Sequence, residues 1–105
     1  MHPAISLEIY SVRDLQAHYE LKTPGGYWFS PSTMRFFRTK IYDGLWYTPD
    51  SRVLFITSEQ RESGEPRRYT VREYSPHTGD IRSLGFMNHK TLASAKREAD
   101  SLGIK

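Results

Sequence analysis

The residues best suited to chemistry in this chain are arginines interleaved with aromatic, hydroxyl and acidic side chains. Arg68, Thr70 and Arg72 alternate along one extended segment, so they fall on one face of a strand, while Tyr69, Val71 and Glu73 fall on the other. With Arg82 joining across a turn, such a row could contact phosphates and base edges, its guanidinium forks bidentate to guanine. The plainer reading is a solvated sheet face whose arginines offset Glu59, Glu62 or Glu65. A second cluster lies upstream, where Trp28, Phe29, Phe36 and Phe37 flank Arg35 and Arg38. Aromatic and arginine side chains dominate protein interfaces, and aromatic rings also stack bases. Trp28, Arg35, Phe36 and Arg38 are therefore the candidate protein-binding residues, set against a role for most of the rings in the core. Phe36 and Phe37 are consecutive and cannot both face one direction on a helix. One of them is expected at the surface or at a helix end.

Catalytic chemistry finds little footing. Ser58-Glu59, Ser75 with His77, and Asp80 are the nearest approach to a nucleophile and base, and turn or strand chemistry accounts for each. Gly25-Gly26 and Asp43-Gly44 are turn residues without phosphate-loop spacing. The chain has no cysteine, which removes thiol catalysis, disulfides and thiolate metal sites together. His2, His18, His77 and His89 lack the HxH or HExxH spacing of a zinc site. No enzyme activity, metal or cofactor is expected.

Positioning these residues requires one small domain. A length of 105 residues supports a single core spanning 1–105, and the composition (37% hydrophobic, 26% charged) is that of an ordinary globular chain. The 13% aromatic share is high, so aromatic rings should carry much of that core. A formal charge of +3 is only mildly basic, less than expected if the whole surface gripped phosphates. The absence of an apolar run of roughly 20 residues and of a secretory leader pattern points to a soluble, intracellular protein with no membrane partner.

The elements follow from periodicity and punctuation. Ser11 reads as a helix N-cap with Asp14 in the first turn, Val12, Leu15 and Tyr19 share one face, and Thr23-Pro24-Gly25-Gly26 stops a helix of about three turns. Upstream, Ile5, Leu7 and Ile9 alternate like a strand yet could equally extend that helix. Ser30 or Ser32 can cap a short second helix from about Pro31 to Arg38, with Met34, Phe37 and Ile41 at helical spacing. From Leu45 the period becomes two. Leu45 to Thr48, Val53 to Ser58 and Arg67 to Tyr74 read as strands, and Pro76-His77-Thr78-Gly79-Asp80 turns the chain into another at Ile81. The unbroken apolar run Val53 to Ile56 predicts a central strand covered on both faces. Residues 59 to 66 read as a charged hairpin loop. A last helix starts near Thr91, with Leu92, Ala95, Ala99 and Leu102 as its apolar stripe and Gly103 as its stop. The fold class is α+β: an N-terminal helix, a short second helix, an antiparallel meander of three to four strands from Leu45 to Phe86, and a C-terminal helix packed on one sheet face.

Three ordered motifs carry a family resemblance. At Thr33-Met34-Arg35-Phe36-Phe37, at Phe55-Ile56-Thr57-Ser58-Glu59-Gln60 and at Arg68-Tyr69-Thr70-Val71-Arg72, the chain resembles a family of small, functionally uncharacterised proteins encoded by phages and prophages. The likeness spans about Leu15 to Ala99 and implies a viral origin and the cytoplasm of a bacterial host, without a chemistry. A looser likeness, from Tyr69 through Gly85-Phe86, Thr91 and Ala95 to Ala99, is similar to the N-terminal DNA-binding domains of phage integrases, which lay a sheet face into a groove. Here the gap from Phe86 to Thr91 is longer than that pattern and the upstream helices are extra. The expected function is a phage or prophage accessory protein that binds a host or viral protein; the alternative is nucleic-acid binding by the basic sheet face.

Overall fold

The structure, a computed structural model, describes residues 9–26, 28 and 31–105. Its elements are α1 (Val12–Lys22), α2 (Pro31–Phe36), β1 (Lys40–Ile41), β2 (Trp46–Tyr47), β3 (Val53–Glu59), β4 (Arg68–Ser75), β5 (Asp80–Ser83) and α3 (Leu92–Leu102). Ile5, Leu7, Phe29 and Ser30, read above as part of the first elements, lie outside the described residues.

The sheet is antiparallel, ordered β1-β3-β4-β5, with β2 also paired to β3. Lys40 and Ile41 lie opposite Ser58 and Thr57, and Trp46 and Tyr47 lie opposite Leu54 and Val53. Between them the pairing slips by two residues at Asp43-Gly44, where Gly44 takes the left-handed φ of 108°. An even slip keeps every side chain on its own face, so β1 and β2 act as one edge strand broken by a bulge. Ile41 therefore belongs to the sheet. The helical spacing that linked it to Met34 and Phe37 is coincidental, because α2 ends at Phe36, and Arg38 turns left-handed at φ 50° with the Thr39 amide donating to the Met34 carbonyl.

β3 is buried along its whole length. Its odd-numbered residues face α1: Val53 and Phe55 pack with Leu15, Tyr19, Leu45 and Tyr74. Its even-numbered ones face α3: Leu54 and Ile56 pack with Trp46, Val71, Ala95 and Ala99. Full burial of each such side chain contributes roughly 1.5–3 kcal/mol, and alternation across two faces explains why the run reads as continuously apolar. The caps are as expected: Ser11 Oγ accepts from the Asp14 amide, and Thr91 Oγ1 accepts from the Ser94 amide.

The helices are tied to the sheet by polar contacts at their ends. Thr23 Oγ1 donates to the Gly79 carbonyl at 3.1 Å, joining the end of α1 to the β4–β5 turn. A Cβ on Gly79 would lie 2.6 Å from Thr23 Oγ1 and 2.7 Å from Lys22 Cγ, and its φ is 78°, so only glycine permits this approach. Trp46 Nε1 donates to Asp100 of α3 at 2.7 Å, and beyond the helix Ile104 pairs with Tyr47 as an extra antiparallel bridge. Tyr74 is buried beneath α1, within 2.5 Å of His18 Nδ1, and burial and then Tyr19 push its phenol pKa up to about 12. Burial, and then the charge of Lys22, lowers the His18 pKa. Among the described residues no helix is long and apolar enough to cross a membrane.

One expected core residue is displaced: Leu102 is 43% exposed, because the stripe of α3 meets the sheet through Ala95 and Ala99. Ala95→Asp or Ala99→Asp should therefore lower stability by more than about 3 kcal/mol in urea melts, by burying an unpaired charge, whereas Leu102→Asp should cost less than about 1 kcal/mol. Equal losses for all three would contradict this packing. The raised Tyr74 pKa yields a second test. The folded state favours the neutral phenol, so its contribution is complete below about pH 10 and is lost as pH rises through about 12. Tyr74→Phe should flatten the fall in Tm over that window and remove the last tyrosine to ionise in an absorbance titration.

Candidate functional site

The loop-side end of β3 and β4 concentrates the residues singled out by sequence. Glu59, the last residue of β3, is 0% exposed. A buried carboxylate must be paired and hydrogen-bonded, and this one is. Its Oε1 accepts from Thr70 Oγ1 at 2.7 Å, and its Oε2 accepts from Thr57 Oγ1 at 2.5 Å and from Arg72 Nη2 at 3.0 Å. Arg72 Nε also donates to Thr57 Oγ1 at 3.1 Å, which leaves the arginine side chain 11% exposed. The Arg72 guanidinium lies 5.3 Å from the ring centroids of both Trp28 and Phe86. Cation–π contacts of this kind contribute up to about 2 kcal/mol when desolvated.

The basic row is therefore not an open one. Thr70 is buried and also accepts from the Met87 amide at 2.8 Å, and Arg72 is committed to Glu59. The expectation that an arginine offsets Glu59 holds, but inside the protein rather than on a solvated face. Arg82 stands opposite Glu73 in the β4–β5 register, which places it on the other face from Arg72, not in the same row. There its Nε donates to Glu73 Oε1 at 2.6 Å. Arg68 lines a surface cavity with Arg61, Glu65, Pro66, Phe86 and Met87.

The aromatic cluster divides likewise. Trp28 packs edge-on against Phe55 at a centroid distance of 5.6 Å, so it belongs to the core margin. Phe36, the last residue of α2, is 73% exposed; Phe37 stands beyond the helix end with its ring 4.5 Å from Phe36 and 5.4 Å from Phe86. Arg35 and Arg38 are exposed on either side. The Arg38 turn is held from below, because Arg67 Nη2 donates to the Arg38 carbonyl while Arg67 Nε donates to Ser58 Oγ at 2.8 Å, and the Gln60 amide donates to the Phe37 carbonyl at 2.8 Å. The result is one surface formed by the end of α2, the 60–67 loop and the 85–87 turn. Its line of rings runs from Phe36 to Phe86, and Arg35, Arg38, Arg61 and Arg68 outnumber Glu62 and Glu65 around it.

Sequence reasoning named Phe86 only as the end of the meander and within the integrase likeness, and passed over Met87; both complete this surface, and neither had a periodic pattern to mark it as part of one. It also passed over a chain on the opposite face, in which His89 Nδ1 meets Ser94 Oγ and His89 Nε2 meets Glu98 Oε1, both at 2.7 Å. That group ties α3 to the bridge between His89 and Tyr69. The two serines proposed as nearest to a nucleophile sit in other roles: Ser58 is bonded to Arg67 and Tyr42, and Ser75 closes the β4–β5 turn through its carbonyl.

Residues 11–100 match the profile of a family described as a family of unknown function, DUF7447. The chain belongs to that family. The match covers every element described above, from α1 into α3, so the buried Glu59–Arg72 pair and the aromatic surface both lie within the family's domain. No curated protein and no solved structure matches the chain.

The geometry sorts the arginines by what their loss leaves behind. Arg72→Ala should lower stability by about 3–5 kcal/mol, because it strands a buried carboxylate, while Arg68→Ala should stay within about 0.5 kcal/mol in the same urea melts. Similar small losses for both would mean that Glu59 is not held as described.

Proposed function

We propose that the protein is a non-enzymatic binding domain whose contact surface is the aromatic and arginine end of the sheet, and that its partner is a protein segment carrying apolar and acidic side chains. The observation that carries this reading is the exposure of Phe36 at the head of a continuous line of rings. A phenylalanine left in water forgoes roughly 1.5–3 kcal/mol that a partner could recover, and contiguous apolar surface rimmed by charge is characteristic of interaction sites. Four arginines against two glutamates around the rings favour an acidic partner. On the resemblance of its three motifs to phage and prophage proteins, the protein acts in a bacterial cytoplasm and the partner is a host or viral protein. Ser58, Glu59, Ser75, His89 and Ser94 are engaged in holding the fold, which favours a protein that performs no chemistry of its own.

Nucleic-acid binding by the Arg68, Thr70, Arg72 and Arg82 row has less support, because Thr70 and Arg72 are turned to Glu59 and Arg82 lies on the opposite face. Both readings meet one experiment: capture of partners from bacterial lysate by the tagged protein, with and without nuclease. The captured protein should survive nuclease. Its affinity should fall by about 30-fold or more in Phe36→Ser and in Arg35→Ala combined with Arg38→Ala, and change less than about threefold in Glu62→Ala combined with Glu65→Ala. All of these variants should melt within about 0.5 kcal/mol of the parent per substitution. Capture lost to nuclease would transfer the function to nucleic acid, and dependence on the glutamate pair would move the interface to the 60–67 loop.

A further inference from the structure

The surface proposed for binding contains a cavity of about 390 Å³, lined by Arg61, Glu65, Pro66, Arg68, Phe86 and Met87. That volume lies within the ~300–1,000 Å³ of small-ligand sites. Its walls are fixed from inside the protein. The Phe86 ring packs on the Arg72 guanidinium and on Phe37, and Met87, left-handed at φ 57°, is held by the bond from its amide to Thr70 Oγ1. On the loop side, Gln60 Nε2 donates to the Glu65 carbonyl at 2.7 Å and braces the turn between them. The guanidiniums of the lining, by contrast, are uncommitted. Arg68 stands opposite Glu59 in the β3–β4 register, but the Glu59 carboxylate is taken by Arg72, Thr57 and Thr70. Neither Arg68 nor Arg61 has an ion pair or a side-chain hydrogen bond among the described residues, although Glu65 shares the lining. Arg68 is half-buried, so the fold withdraws it partly from water and supplies no acceptor in exchange.

We infer, resting on the protein-binding reading, that this cavity receives an acidic side chain of the partner, its carboxylate accepting from Arg61 and Arg68 and its apolar stem lying on Pro66, Phe86 and Met87. Two guanidiniums against the one carboxylate of Glu65 leave the lining with a single net positive charge, which balances a carboxylate and not a phosphate dianion. The planar fork of a guanidinium matches a carboxylate, and such charge-assisted bonds are roughly twice as strong as neutral ones. The apolar side of the lining has nothing to offer a bare inorganic anion and suits an anion carried on carbon. Because the Glu59–Arg72 network already holds Phe86 and Met87 in place, little ordering of the wall opposes binding.

The test is an NMR titration of the full chain with 3-phenylpropanoate, a carboxylate on an apolar stem. 3-Phenylpropan-1-ol and 3-phenylpropylamine serve as neutral and charge-reversed controls, and phenyl phosphate as the dianion. 3-Phenylpropanoate should give saturable shifts centred on Arg68, Phe86 and Met87, with a Kd of roughly millimolar order for so small a ligand. The alcohol should bind at least about tenfold more weakly, and the amine should leave these residues unmoved. Arg68→Ala should weaken the carboxylate by about tenfold with the fold intact, and Glu65→Gln should strengthen it by about twofold. Arg97→Ala, which removes an equal charge from α3 across the sheet, should change nothing. In excess, 3-phenylpropanoate should release the protein captured from lysate. The absence of saturable shifts, equal response to the amine, tighter binding of phenyl phosphate, or indifference to Arg68→Ala would overturn the site, and would leave the protein-binding reading standing if Phe36→Ser still abolished capture. Saturable binding that fails to release the captured protein would overturn the assignment of the cavity to the partner.

Discussion

A carboxylate with no access to water stands at the end of the most buried strand of this protein, and the architecture around it is arranged to make that tolerable. Glu59 needs a cation and further donors, and receives Arg72, Thr57 and Thr70 from the same sheet face. Desolvating the two charges costs several kcal/mol each, so the pair adds little net stability compared with an apolar isostere; what it adds is intolerance of alternatives. Arg72 reaches Glu59 only with the β3–β4 register as it is, and it can be desolvated only with Trp28 and Phe86 flanking its guanidinium. The pair thereby sets the positions of the 85–87 turn and, through Phe86 and Phe37, the end of α2. The surface proposed for binding is built on an internal ion pair.

The other half of the molecule is held by ordinary burial. β3 fills both faces of the sheet, α1 covers one and α3 the other, and small side chains at Ala95 and Ala99 let α3 lie close. Polar ties then orient the helices: Thr23 to Gly79, Trp46 to Asp100, and the pairing of Ile104 with Tyr47. The two ends of the sheet thus differ in kind, one knitted by a buried polar network beneath exposed rings, the other tied to the ends of α1 and α3.

Much of this was legible in the sequence, because the signals were local. Ser11 and Thr91 as caps, the stop after Lys22, the apolar run of β3 and the turn ending at Gly79 all depend on neighbours in the chain. What was hidden depended on register. Arg68, Thr70 and Arg72 alternate as expected, but only the pairing of Thr57 with Thr70 and Glu59 with Arg68 shows that Glu59 sits among them. Arg82 could be assigned to a face only once its partner Glu73 was known. Ile41 followed helical spacing and entered the sheet because the chain turns left-handed at Arg38. Leu102 matched the stripe of α3 yet lies outside it, since the stripe is only as wide as two alanines allow.

The account stands or falls on the coupling between Glu59 and Arg72, which a double-mutant cycle measures directly. Urea unfolding of the parent, Glu59→Leu, Arg72→Met and the combined variant should show each single substitution costing about 3–5 kcal/mol, since each strands a buried charge. The combined variant should cost at least about 2 kcal/mol less than the sum of the two. Single losses that add to within about 0.5 kcal/mol would show that the two side chains act independently and contradict the central role given to their contact.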